Sequence, residues 1–242
     1  MGRSVAETAA GDPGFHLKAG VDRTAPIAGF AAWGERLEEF LASGVVVIDF
    51  SDRAGTLEAA RACAARGAAL VSGTTGLLEG DEEALRAAAG RVAVLRAANF
   101  SLGVLALRRA ISAALTMLPT WDIEIVERHH RNKQDSPSGT ALQLARESAA
   151  VRGYPESALR HGRVGHLGTR AAKEVGIHAV RGGSWVGDHT VLLAGPGEWV
   201  ELRHVAQDRT AFAHGALAAA RFVSSAGPGF YTLDDVTKAV AT

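Results

Sequence analysis

With Cys63 as its single cysteine, this 242-residue chain has no means of closing an internal disulfide, so non-covalent packing must hold it together. It also lacks an excess of charge of either sign, since Lys plus Arg and Asp plus Glu number 26 each. Without a net field to draw polyanions, no nucleic acid or anionic membrane is expected as a partner, and recognition has to be local. No apolar run reaches 18 residues and no charged-then-apolar leader is present, so a cytoplasmic protein is expected, outside any membrane. Metal-binding spacing is missing too. The cysteine stands alone, no His-x-x-x-His pair falls on a helix, and the adjacent His129 and His130 diverge on an extended chain, so no metal is expected.

What is present begins with apolar content. Hydrophobic residues make up 47% of the chain, enough for a core, and the length suits one large or two modest domains. A helix over 2–10 stops at Gly11-Asp-Pro-Gly14, and 15–21 alternates as a strand ending at Asp22-Arg23. A rhythm then starts: strand 45–50, alanine-rich helix 54–66 closed by Gly67, strand 68–71 ending in Ser-Gly-Thr-Thr-Gly76, helix 81–89 closed by Gly90, strand 92–95, exit loop 97–101. Short apolar strands alternating with helices predict a Rossmann-like, doubly wound parallel sheet in an α/β protein. Ligands of such sheets lie at the carboxyl ends of the strands, here Asp22, Phe50-Ser51, Gly73-Thr74-Thr75 and Ala97 to Phe100. An acid such as Asp22 suits the hydroxyls of an adenine ribose, whereas Arg23 suits a 2′-phosphate, so the two residues pull opposite ways on the cofactor.

After a helix over 102–118 the pattern changes. Stretches 175–180, 190–194 and 199–205 alternate as strands between glycine-rich turns at Gly182-Gly183, Gly187-Asp188 and Gly195-Pro-Gly197, which predicts a mixed or antiparallel sheet in an α+β second domain. A last long helix, 212–222, packs back on the first domain, and a short one follows in the tail to Val240. The expected division is 1–101 with 213–242, and 102–212. The cationic stretch His161, Arg163, His166, Arg170, with its intervening glycines, reads as a loop able to close over an anion.

Chemistry concentrates between Glu127 and Thr140. Trp121 to Glu127 is a strand in which Ile123 and Ile125 alternate with acids, expected to separate carboxylates from apolar side chains on opposite faces, and it delivers His129 to its end. Ser136-Pro137 turns the chain, Ser138 caps a helix, and Gly139 and Thr140 form its first turn, where backbone N–H groups and the helix dipole suit a carboxylate or phosphate. Imidazoles, the Lys133 ammonium and an anion cradle thus share one segment.

With those residues laid out, the chain resembles the dihydrodipicolinate reductase family over essentially its whole length. The family's Glu-x-His-His-x-x-Lys-x-Asp-x-Pro-Ser-Gly-Thr-Ala signature runs unbroken from Glu127 to Ala141, and its Gly-Thr-Thr-Gly and Ala-x-Asn-Phe-Ser loops stand at Gly73 to Gly76 and Ala97 to Ser101. The resemblance implies a nicotinamide-dependent reductase of the diaminopimelate route to lysine, acting on a cyclic dicarboxylate. It implies His129 as proton donor, Lys133 as a second acid, and His130, Gly139 and Thr140 as the substrate grip. Asp22, Arg23, Gly73, Thr74, Thr75, Ala97, Ala98, Asn99 and Phe100 would hold NADH or NADPH, and a homotetramer would form through the second domain's sheet. The family's opening strand and Gly-x-x-Gly-x-x-Gly loop are matched only by Met1-Gly2-Arg3, so an in-frame upstream segment of roughly 15 to 20 residues is expected, the length of one strand plus that loop. Alternatives are a non-catalytic homologue that binds or regulates, and a different dehydrogenase on the same fold.

Overall fold

The structure is a computed structural model that describes residues 1–22, 30 and 32–240; Arg23 lies outside the described residues. The chain divides into two compact units, 1–102 with 209–242, and 103–208.

The first unit is built on a parallel sheet. β3 (Val46–Asp49), β4 (Ala69–Ser72), β5 (Ala93–Arg96) and β11 (Gly229–Tyr231) pair in the order β11-β5-β4-β3, all parallel. Leu70, Val71, Val94 and Leu95 are fully buried, as expected of strands covered on both faces. α2 (Arg53–Arg66) starts where Asp52 accepts the Gly55 N–H and ends at Gly67, whose φ of 71° places it in the left-handed cap conformation. α3 (Glu79–Ala89) begins where the buried Asp81 carboxylate accepts the Leu78 N–H at 2.8 Å. Leu41, Leu70, Leu85, Val94 and the alanines of α2 and α3 form a core with Cys63, whose burial pushes its thiol up to about 12 and keeps it unreactive. α6 (Thr210–Ser225) packs on α1 (Gly2–Ala10) and on β3 to β5, and Gly215 is where it closes on the chain, since a Cβ there would lie 1.7 Å from the Phe100 carbonyl oxygen. α7 (Leu233–Val240) completes the unit.

Two expectations change here. The strand read over 15–21 pairs only as β1 (Gly20–Val21) with β2 (Trp33–Gly34); among the described residues no ladder partner lies along 15–19, and alternation without a partner does not make a strand. The tail contains β11 as well as a helix, and Gly-Phe-Tyr is too short a run to stand out from sequence alone.

The second unit holds a five-stranded mixed sheet in the order β10-β9-β6-β8-β7: β6 (Asp122–His129), β7 (Leu159–His161), β8 (Val175–Arg181), β9 (Gly187–Gly195) and β10 (Glu198–Ala206). β6 runs parallel to β8 and antiparallel to β9. α4 (Leu102–Met117) and α5 (Gly139–Arg152) supply Leu107, Ile111, Leu115, Leu144 and Ala145 to a core with Ile123, Ile125, Val175, Ile177, Val191 and Leu193. Gly187 and Asp188, expected in a turn, are instead the first paired residues of β9, opposite Ala206 and Val205. Glycine is used there to bring β9 close to β6, because a Cβ at Gly187 would lie 3.3 Å from the His129 ring.

Candidate active site

β6 places Ile123, Ile125, Glu127 and His129 on one face by its two-residue period, and all four are buried. This corrects the expectation that the acids of this strand share a face: Asp122 and Glu124 lie opposite, while Glu127 follows the isoleucines inward and is 0% exposed. A buried carboxylate must be compensated. Glu127 accepts from His129 Nδ1 at 2.5 Å and Arg181 Nη1 at 2.8 Å on one oxygen, and from Arg181 Nη2 at 2.7 Å and the Ser138 N–H at 3.0 Å on the other. Burial alone would raise its pKa, but the bonds from His129, Arg181 and the Ser138 amide overturn that and hold it at about 2.

Ser138 joins this group to α5. Its Oγ accepts the Ala141 N–H at 3.2 Å as the helix cap and also meets His189 Nε2 at 3.2 Å. His189 stands opposite Glu127 in the β6–β9 register, and its ring meets that of His129 edge to face at 5.2 Å. Burial, followed by the neighbouring His129, depresses its pKa to about 4, so it is neutral at physiological pH. In the next strand, His204 lies opposite His189 and is likewise shifted down by burial.

The remaining residues of the signature line the loop between β6 and α5. The His130 N–H donates to Trp185 O at 2.8 Å, and its Nδ1 is buried without a hydrogen-bond partner among the described residues. Lys133 Nζ pairs with Asp135 at 2.7 Å, and its own N–H returns to His130 O at 3.1 Å. Gly139 and Thr140 are the first two residues of α5, as expected, and a Cβ at Gly139 would meet nothing within 4 Å, so the first turn is open to approach.

The cationic loop has a different role from the one its charge suggested. Arg163 and Arg170 are engaged with Glu124, with Glu174 and Asp122 as further partners, and His178 Nε2 meets Glu124 at 2.7 Å. Burial would raise the Glu124 pKa, but Arg163, His178 and Arg170 together hold it at about 2. Those arginines are spent on the sheet, through partners some 40 residues away that the local charge pattern did not reveal.

In the first unit, the carboxyl ends of β3, β4 and β5 bring together Phe50, Gly73, Thr74, Thr75 and Ala97 to Phe100. Phe50 packs edge to face on Phe100 at 5.6 Å, and a Cβ at Gly73 would lie 2.2 Å from the Phe50 ring, so only glycine passes there. Thr75 and Ala98 are exposed on small side chains. Thr74 is turned inward: with Thr56 and Ser72 it donates to Asp49 Oδ2, at 3.1, 2.6 and 3.0 Å. Asn99 Oδ1 accepts the Ser101 N–H at 2.8 Å, shaping the loop ahead of α4. Asp22 is exposed just past β1. A rim of backbone and small side chains at these strand ends fits an extended dinucleotide. No cluster of metal-ligating side chains occurs among the described residues.

Comparison with known proteins addresses both units. A family described as "Dihydrodipicolinate reductase, N-terminus" matches residues 1–100, and "Dihydrodipicolinate reductase, C-terminus" matches 103–237. A 4-hydroxy-tetrahydrodipicolinate reductase of Thermomicrobium roseum is 46% identical over 98% of this chain and 95% of its own length. One from Halorhodospira halophila is 42% identical over 98% and 94%. Among solved structures, a dipicolinate-bound dihydrodipicolinate reductase from Paenisporosarcina sp. TG-14 has a TM-score of 0.77 at 23% identity, covering 96% of this chain and 92% of that one, which speaks for the fold. With both of its units matched in order and close relatives aligned nearly end to end, the chain belongs to the dihydrodipicolinate reductase family of NAD(P)H-dependent oxidoreductases.

Proposed function

We propose that this chain reduces 4-hydroxy-tetrahydrodipicolinate, a cyclic dicarboxylate, to tetrahydrodipicolinate with NADH or NADPH, on the diaminopimelate route to lysine. The observation that carries the reading is the buried Glu127–His129 pair standing next to the open first turn of α5. Its residues are those of a proton donor beside an anion cradle. NADH or NADPH, when bound, supplies a hydride, and the first unit's rim at Gly73 to Thr75 and Ala97 to Phe100, with Asp22 and Arg23, would hold it.

The chain's own residues do the rest. Hydride addition to an unsaturated nitrogen ring leaves an electron-rich carbon that needs a proton from a positioned general acid, the role given to His129. Lys133, anchored by Asp135, is the second acid and places positive charge near a substrate carboxylate. The start of α5 at Gly139 and Thr140 receives one carboxylate, and His130 with Lys133 the other. The intact Glu127 pair favours catalysis over a purely binding or regulatory role.

We further assign the chain to the cytoplasm, in keeping with the absence, among the described residues, of a helix long and apolar enough to cross a membrane. A homotetramer is proposed through the second unit's sheet, whose solvent face carries Trp199 and Val205. The test is turnover of the purified chain with each nicotinamide and fresh 4-hydroxy-tetrahydrodipicolinate, followed by loss of nicotinamide absorbance. Oxidation that depends on the ring substrate supports the reading. No oxidation with either cofactor, by a protein that binds pyridine-2,6-dicarboxylate normally, would return it to a binding role.

A further inference from the structure

The proposed activity rests on the Glu127–His129 pair but leaves open what the Glu127 carboxylate itself does. It is 0% exposed, and its two oxygens take four hydrogen bonds, the full acceptor capacity of a carboxylate. Three of the donors come from different elements: His129 from β6 itself, Arg181 from the end of β8, and the Ser138 amide from the cap of α5.

Each contact constrains something the reaction needs. An ionised carboxylate can only accept, so His129 Nδ1, 2.5 Å away, must carry hydrogen whether the ring is neutral or protonated. The exchangeable proton therefore sits on Nε2. That nitrogen faces Gly187, the position where a Cβ would come within 3.3 Å, so glycine keeps this edge of the ring uncrowded. His189 holds the ring from the side at 5.2 Å without adding a charge at neutral pH. Through the Ser138 N–H the other oxygen fixes the residue that caps α5, and so the start of the turn carrying Gly139 and Thr140. Arg181 supplies the counter-charge that lets the carboxylate remain ionised in a buried place, and it also binds Asp135 O at 2.8 Å, in the loop that carries Lys133.

We infer that Glu127 is a positioning residue: with Arg181 as counter-ion it locks His129 as the Nδ1–H tautomer, leaves Nε2 as the proton-delivering atom, and through the Ser138 N–H fixes the cap from which the α5 anion cradle starts. This rests on the reductase reading for its consequence, although the tautomer itself does not.

The test begins with the unaltered full chain, ¹⁵N-labelled at histidine. Long-range nitrogen–proton spectra of the neutral His129 ring, assigned by its loss in His129→Gln, report which nitrogen carries hydrogen. Nδ1–H is expected, and Nε2–H would overturn the inference however any variant behaves. Glu127→Gln, which keeps shape and volume, should then lose the fixed Nδ1–H signature and lower kcat by about 10-fold or more, with dinucleotide affinity unchanged. A kcat within about twofold of the unaltered enzyme, or a fall in kcat with the Nδ1–H signature retained, would also overturn it. If the unaltered chain shows the expected tautomer but reduces no ring substrate, the reductase reading has failed and the lock on His129 has not.

Discussion

Single carboxylates govern both units, in opposite ways. Asp49, at the end of β3, collects the hydroxyls of Ser51, Thr56, Ser72 and Thr74, and so fastens the carboxyl ends of β3 and β4 to α2. Asp49→Ala would leave three buried hydroxyls without this acceptor, at roughly 1–3 kcal/mol each, so urea unfolding should report a loss of about 3 kcal/mol or more. A loss under about 1 kcal/mol would mean those hydroxyls find other partners. Glu127 and His189, with Glu124 and His204 shifted the same way, shape the acid behaviour of the second unit. His189, at about 4 when folded and near 6.5 when free, keeps the unfolded chain more protonated than the folded one between those values, so its share of stability falls as pH drops from 6.5 to 4. Glu127, at about 2 against an ordinary carboxylate, contributes fully above its unfolded pKa and loses that contribution as pH falls toward 2. Stability measured against pH should therefore decline in two stages, and His189→Gln should flatten the first; an unchanged first stage in that variant would contradict the assignment. Neither residue's partners were legible in the sequence. A period of two from Ile123 through Ile125 would have carried Glu127 to the buried face, but Arg181 and His189 reach it only through strand register, 54 and 62 positions along the chain.

Elements were easier to read than contacts, because their signals are local. The helices and the main strands fall within a few residues of the apolar periodicities and glycine stops, since caps such as Asp52, Ser138, Gly67 and Gly153 act on their own neighbours. What local pattern could not supply was pairing. The 15–21 stretch alternates yet pairs only at Gly20–Val21, β7 and β11 are three residues each and exist through their neighbours, and Gly187-Asp188 at the start of β9 reads as a turn. Gly153 offers a clean test of a cap. It ends α5 at a φ of 65°, and a Cβ there would meet nothing within 4 Å, so Gly153→Ala adds backbone strain and no clash. Thermal or urea unfolding should show a loss of about 1–2 kcal/mol with kcat unchanged. No loss would mean that the cap relaxes out of the left-handed region.

For the whole molecule, the exposed face of the five-stranded sheet is the feature that one copy of the chain leaves unexplained. Trp199, at 69% exposed, and Val205 lie on the same side of β10, and Val180 of β8 falls in the same cross-strand row as Val205. Between them stand Glu201, Arg203 and the Asp188–Arg128 pair, so any self-association here would join isolated apolar anchors through a charged surface. If the proposed homotetramer forms through this face, light scattering of Trp199→Glu should report a mass below that of the unaltered chain, whereas an unchanged mass would put any contact elsewhere. The family was legible because the signature from Glu127 to Ala141 is continuous in sequence, while the buried network that supports it is assembled only by folding. In the proposed nicotinamide-dependent reduction, everything turns on His129 delivering the proton. Steady-state turnover of His129→Gln beside the unaltered enzyme tests it most directly: kcat should fall by roughly 10²-fold or more with the KM for the cyclic dicarboxylate little changed, and an undiminished kcat would contradict it.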